Sequence, residues 1–183
     1  MTDHQPRSVF LLTVRVRFHE LDPLGHVNNA VFLTYLEEAA IEHAAAAGWL
    51  SSRLREHGGV FIARRHEIDF LQPAVEGDLL QVRTWAEAMN GARARRAYEI
   101  IRLNRAEGAS PRDGLIDVAD FEPAQRAALL VRARTEWAFV DVVAGRPRRI
   151  PAEVRDDFLL ATAGKPIGNV TPNAPPLRHH SAE

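Results

Sequence analysis

From Ala30 to about Ala47 the chain reads AVFLTYLEEAAIEHAAAA, apolar over most of a helical circumference and polar only along Thr34, Glu38 and Glu42. Those three share one stripe, at i, i+4 and i+8. Gly48 is a fitting C′ residue, so the segment predicts a helix of roughly 18 residues, about 27 Å long. A helix this apolar has to be largely surrounded by other structure. That requirement narrows the fold more than any other feature, and a small sheet curled around the helix would meet it.

Sheet-forming segments flank it on both sides. Val14, Val16 and Phe18 alternate with Thr13, Arg15 and Arg17, the period-two pattern of a half-buried strand, which predicts strand one from about Val9 to Phe18. Four more alternating segments predict strands over Phe61–Leu71, Leu79–Glu87, Arg93–Leu103 and Arg132–Asp141. Asn90-Gly91 between the third and fourth is a strong hairpin signal, so these two should pair antiparallel. Residues 104–130 carry Gly108, Ser110-Pro111, Asp113-Gly114 and Glu122-Pro123. So long and punctuated a segment is expected to be an insertion able to act as a lid. Pro151 to Leu160 predicts a short helix, and the polar, proline-bearing stretch 164–183 a disordered tail. The reading is an α+β chain with one domain over 1–163.

Length and composition set outer limits. At 183 residues and 46% hydrophobic content the chain suffices for one packed domain and is short for two. With a net charge of −1 it has no global attraction to nucleic acid or anionic membrane, and any anionic ligand must be met by a local patch. Arg93, Arg95 and Arg96 form one such patch and Arg64 with Arg65 another. Solvated strand faces carry the same pattern. There is no cysteine, which excludes disulfides, thiolate metal sites and cysteine nucleophiles. Adjacent His179 and His180 lack further ligands, so no metal site is expected. No apolar run reaches the roughly 20 residues of a membrane span, and no secretory h-region is apparent, so a cytoplasmic location is expected.

The chemistry is expected where strand one meets the helix. Pro23 and Gly25 force a tight turn after Asp22, and Asn28 or Asn29 is a suitable N-cap. A helix start offers unpaired backbone N–H groups and a partial positive charge. A carboxylate just upstream can attack or deprotonate while those groups hold a developing oxyanion. Aspartate before proline is also a common turn former, and His26 either handles a proton or merely braces the turn.

Strand, turn, long buried helix and four strands, with Asp22-Pro23-Leu24-Gly25-His26-Val27-Asn28-Asn29 at the turn, resemble hotdog-fold acyl-CoA thioesterases of the 4-hydroxybenzoyl-CoA thioesterase type. Tyr35-Leu36-Glu37-Glu38-Ala39 and His66 to Ala74 extend the resemblance, which runs from about Val14 to Phe158. It implies a curved antiparallel sheet of about five strands wrapped around the central helix. It further implies that Asp22 acts on a thioester carbonyl, as nucleophile or as general base toward water. The backbone N–H of Asn29 would polarise the carbonyl oxygen. Coenzyme A enters as part of the substrate, with no separate cofactor, and acyl carrier protein is an equally possible thiol carrier. Subunits of the family pair sheet edge to sheet edge, so a homodimer or tetramer is implied.

Around this centre, Gly25 and Asn28 shape the turn, Phe32 and Tyr35 are candidate walls of an acyl cavity, and Arg64, Arg93, Arg95 and Arg96 are candidates for the phosphates of coenzyme A. Glu37 and Glu38 are backup catalytic carboxylates, because a helix carboxylate serves in some other hotdog thioesterases. Two rival functions stay open. One is an enoyl-CoA hydratase using Asp22 and His26; the other is a hotdog protein that binds acyl-CoA without turning it over.

Overall fold

The computed structural model describes residues 8–103, 113–117, 120 and 128–159. Six strands form one antiparallel sheet in the order β2-β6-β4-β3-β1-β5. They are β1 (Ser8–Arg15), β2 (Gly59–Phe70), β3 (Leu79–Asn90), β4 (Arg93–Arg102), β5 (Gly114–Asp117) and β6 (Leu129–Asp141). Three helices accompany them: α1 (Asn29–Ala46), α2 (Ser51–Glu56) and α3 (Ala152–Phe158). The expected α+β arrangement stands, with six strands in place of five.

Strand one ends three residues early, because Phe18–Glu20 turn into a 3₁₀ helix in which Glu20 Oε2 accepts the Arg17 N–H at 2.7 Å. The β3–β4 hairpin closes as expected, with Asn90 opposite Arg93 and Gly91 at φ +57°. The sixth strand comes from the segment read as a lid. Residues Gly114–Asp117 pair with Ser8–Leu11 of β1 and form an edge of the sheet. Asp113 reinforces this pairing by accepting the Thr13 N–H at 2.7 Å. The stretches 104–112 and 121–127 of that segment, and the expected tail 164–183, lie outside the described residues.

Helix α1 crosses one face of the sheet and buries Phe32, Tyr35, Leu36, Ala39, Ala40 and His43. These sit at i, i+3, i+4 and i+7 spacings against Leu80, Val82, Tyr98 and Ile100 of the sheet. The stripe of Thr34, Glu38 and Glu42 is exposed, and so is Ile41 at 64%. Beyond α1 a second apolar cluster gathers Trp49, Leu54, Met89, Phe139, Val154 and Phe158, bringing α2 and α3 onto the far end of the sheet. Among the described residues no helix is long and apolar enough to cross a membrane.

Where the clusters adjoin, the core holds a polar group. His43 is fully buried in the last turn of α1, with Phe10 stacked on its ring and Phe158 edge-on. Arg96, on the inward face of β4, donates from Nη1 to His43 Nδ1 at 2.7 Å and to Thr84 Oγ1 at 3.2 Å. A guanidinium has only donors, so His43 Nδ1 must be the acceptor and its proton sits on Nε2, 3.4 Å from Ser8 Oγ. Burial, with the adjacent guanidinium, holds the His43 pKa well below 6.5.

Two stability predictions follow from this packing. A Cβ on Gly59 would lie 2.5 Å from the Phe139 ring and 2.9 Å from the Val140 carbonyl. Gly59→Ala should therefore cost about 1–3 kcal/mol in urea unfolding; an unchanged midpoint would show that β2 can shift aside. Native His43 stays neutral while the unfolded chain takes up a proton below about pH 6.5. Its contribution is thus present above that pH and lost as pH falls, by up to about 1.4 kcal/mol per pH unit. Between pH 7.5 and 5.5 the native protein should lose about 1.4 kcal/mol more than His43→Asn, whose Oδ1 takes the place of Nδ1 and can still accept from Arg96. Equal losses in the two proteins would contradict a buried neutral imidazole.

Candidate active site

The turn from Asp22 to Asn28 is built from backbone hydrogen bonds that leave two groups open. The Asp22 N–H donates to the His26 carbonyl at 2.8 Å and Gly25 donates to the Asp22 carbonyl at 3.0 Å. Asp22 Oδ1 accepts the N–H of Leu24 at 2.8 Å and of His26 at 3.2 Å. Its other oxygen, Oδ2, has no hydrogen-bond partner among the described residues. The carboxylate is thus pinned by one oxygen and presents the second, half-buried. Gly25 sits at φ +77°, with open space where a Cβ would go. Its requirement is dihedral, not steric.

The turn is anchored on both sides. Leu21 and Val27 form a β-bridge, Val27 donates to the Ala74 carbonyl at 2.8 Å, and Asn28 donates to the Glu20 carbonyl at 2.9 Å. Asn28 is the N-cap: its Oδ1 accepts from the Ala30 N–H at 2.9 Å and its carbonyl from Val31 at 2.9 Å. The Asn29 N–H, first of the helix, finds no acceptor among the described residues. The positive end of the α1 dipole therefore carries an open donor one residue past the cap.

The surrounding candidates fall in different places. His26 is half-buried beside Asp22 through its backbone. Phe32 and Tyr35 are buried, at 2% and 4% exposure, and stack edge to face. Tyr35 donates its hydroxyl to Glu20 Oε2 at 2.7 Å, and burial together with that carboxylate raises its pKa far above 10. Both belong to the packed core beneath the turn. Tyr35 in effect fastens the 3₁₀ helix to α1. Glu37 and Glu38 are exposed on α1.

The basic patch divides. Arg93 and Arg95 point to solvent, and Arg95 pairs with Glu87 at 2.8 Å, which also meets Arg134. Arg64 is exposed on β2 and, like Arg93, has no ion-pair partner among the described residues. Arg96 is buried on the other face, so it is withdrawn from any surface phosphate contact. Strand parity carried that signal, since Arg96 shares its face with Ala94, Tyr98 and Ile100. An apolar cavity of about 190 Å³ lies away from Phe32 and Tyr35, between the C-terminal half of α1, α2 and the sheet.

The profile of the thioesterase-like superfamily matches residues 16–158. The chain belongs to that superfamily. Over 81 residues it is 33% identical to the long-chain acyl-CoA thioesterase FadM of Escherichia coli, a stretch covering 43% of this chain and 58% of that relative. The matched part is thus under two-thirds of that protein. A thioesterase of Thermus thermophilus crystallised with coenzyme A and zinc is 26% identical, with a TM-score of 0.60 over 81% of this chain and 95% of its own. A 1,4-dihydroxy-2-naphthoyl-CoA thioesterase from Synechocystis has a TM-score of 0.63 at 21% identity, over 81% of this chain and 94% of its own, and supports the hotdog fold alone.

The turn geometry predicts that Gly25→Ala, which forces an L side chain to φ +77°, costs about 1–2 kcal/mol of stability. Gly25→Asn should cost less, because asparagine tolerates that region. Equal stability of the alanine variant by urea titration would mean that the turn can relax into another conformation.

Proposed function

We propose that this protein hydrolyses an acyl-CoA thioester, with Asp22 as the reacting carboxylate and the Asn29 N–H as oxyanion donor. The observation that carries the reading is the pair of open groups at one turn: Asp22 Oδ2 and the first N–H of α1. In one route Oδ2 attacks the carbonyl carbon, the C–S bond breaks, and water hydrolyses the mixed anhydride. In the other Oδ2 takes a proton from water, which attacks in its place. Either way negative charge develops on the carbonyl oxygen, where a helix N-terminal N–H stabilises it.

Exposed Arg64 and Arg93, neither with an ion-pair partner among the described residues, fit the phosphates of coenzyme A. A homodimer formed along β2 is part of the reading. That strand is a 12-residue edge whose outer side pairs with no strand among the described residues, and it carries exposed Ile62 and Phe70 with Leu71 just beyond its end. Such an edge is a template for pairing with another strand.

The test is thiol release from short, long and aromatic acyl-CoAs. With no cysteine the protein contributes no background to a thiol reagent. Asn at position 22 keeps an oxygen for both turn hydrogen bonds, so Asp22→Asn should stay folded while turnover falls by about 100-fold or more. Undiminished release in the variant would move the chemistry to Glu37 or Glu38. Tight acyl-CoA binding by the native protein without thiol release would establish the non-catalytic alternative. In the same assay Arg93→Glu should raise KM with kcat little changed, and an unchanged KM would remove Arg93 from the phosphate site.

A further inference from the structure

We infer that the cavity between α1, α2 and the sheet is a binding site for a medium-chain organic monocarboxylate, whose head group Arg96 receives and whose hydrocarbon lies among Trp49, Leu54, Phe61 and Met89. The walls are mostly apolar; of the two arginines among them Arg95 is exposed and paired with Glu87, so Arg96 is the buried charge. A volume of about 190 Å³ far exceeds the roughly 10–15 Å³ that one water requires by the same measure. Exposed Ile41 and Leu50 stand on the rim, so the cavity has a mouth.

Arg96 sets which head group the cavity can take. Its Nη1 is occupied by His43 and Thr84, while Nε and Nη2 find no acceptor among the described residues. No carboxylate among those residues pairs with it. Nearby Glu87 is engaged by Arg95 and Arg134, and Asp157 accepts from Trp49 Nε1 at 2.9 Å. The one acceptor on α1 is neutral His43, and the Phe158 ring lies 5.7 Å from the guanidinium carbon. Burial disfavours the charged form, yet a guanidinium keeps its proton in proteins. A cation taken out of water without a counter-charge is costly, and it is retained here where leucine or methionine would pack. Three donors left in a fork match a carboxylate, and the apolar walls exclude a small hydrated anion.

The site is separate from the turn at Asp22. His43 lies 14 residues beyond Asn29 on α1, about 21 Å along its axis. A free carboxylic acid is also what the proposed hydrolysis would release, so binding is measured without any thioester. Calorimetric titration of the native protein with octanoate, 1-octanol and octylamine decides the matter. Octanoate should bind at least about tenfold tighter than 1-octanol, and octylamine should not bind. Arg96→Gln should reduce octanoate to the level of 1-octanol, and Ala44→Phe, which places a ring in the cavity, should abolish both. Asp22→Asn should bind octanoate like the native protein, whatever its turnover. The inference is overturned if millimolar octanoate does not bind, if 1-octanol or octylamine binds as well, or if Ala44→Phe leaves octanoate unaffected. The ligand series on native protein stands even where Arg96→Gln fails to fold.

Discussion

Burial of one side of α1 against the sheet is the constraint to which the other parts answer. The buried stripe from Phe32 to His43 fixes how the helix is rotated, and with it which residues reach each end. At the N-terminal end the rotation sets Tyr35 over Glu20, so the turn carrying Asp22 is tied to the helix by a side chain as well as by the chain itself. At the C-terminal end it sets His43 over Arg96 and Thr84. A shift of α1 by one residue would break both ties at once.

The Asp22 turn shows how little side-chain chemistry is needed to shape a candidate site. Pro23 and Gly25 supply the dihedral angles, and every hydrogen bond that closes the turn has a backbone donor. Asn28 takes the second N–H of the helix with its side chain and the third with its carbonyl, so the first is left open by the capping geometry itself. An aspartate acting only as a turn former needs one oxygen for its two N–H groups. The second oxygen is surplus to that structural role, which is why the proposed chemistry is assigned to it.

Much of the fold was legible because both periodicities are strong. The helix, the hairpin at Asn90-Gly91 and five strand segments follow from spacing alone, to within a few residues at their ends. What escaped did so for physical reasons. Ser51–Glu56 spans fewer than two turns and carries one buried apolar residue, Leu54, so it has no period to detect. Gly114–Asp117 is four residues long and opens on a glycine at φ +110°, and its strand character comes from β1 alongside it, a long-range partner invisible to local pattern. The charges of β4 read as one surface patch until strand parity is applied, which sends Arg95 out and Arg96 in. The turn at Asp22 was legible as a candidate site, whereas the openness of Oδ2 and of the Asn29 N–H requires the hydrogen bonds.

The same helix also explains how a buried cation is tolerated in this core. Peptide dipoles sum along α1 to a partial positive charge at Asn29 and a partial negative charge at its last turn. His43 lies in that last turn, and Arg96 donates to it, so the guanidinium sits at the end of the helix that favours positive charge. A helix dipole contributes up to about 2 kcal/mol in partly buried geometry, against an effective penalty of several kcal/mol for an ion removed from water. The dipole therefore lowers the cost of keeping Arg96 without cancelling it, and a carboxylate at the open side of the fork would offset more. One dipole thus suits opposite charges at its two ends: the negative charge that the proposed hydrolysis would develop beside Asn29, and a standing positive charge beside His43.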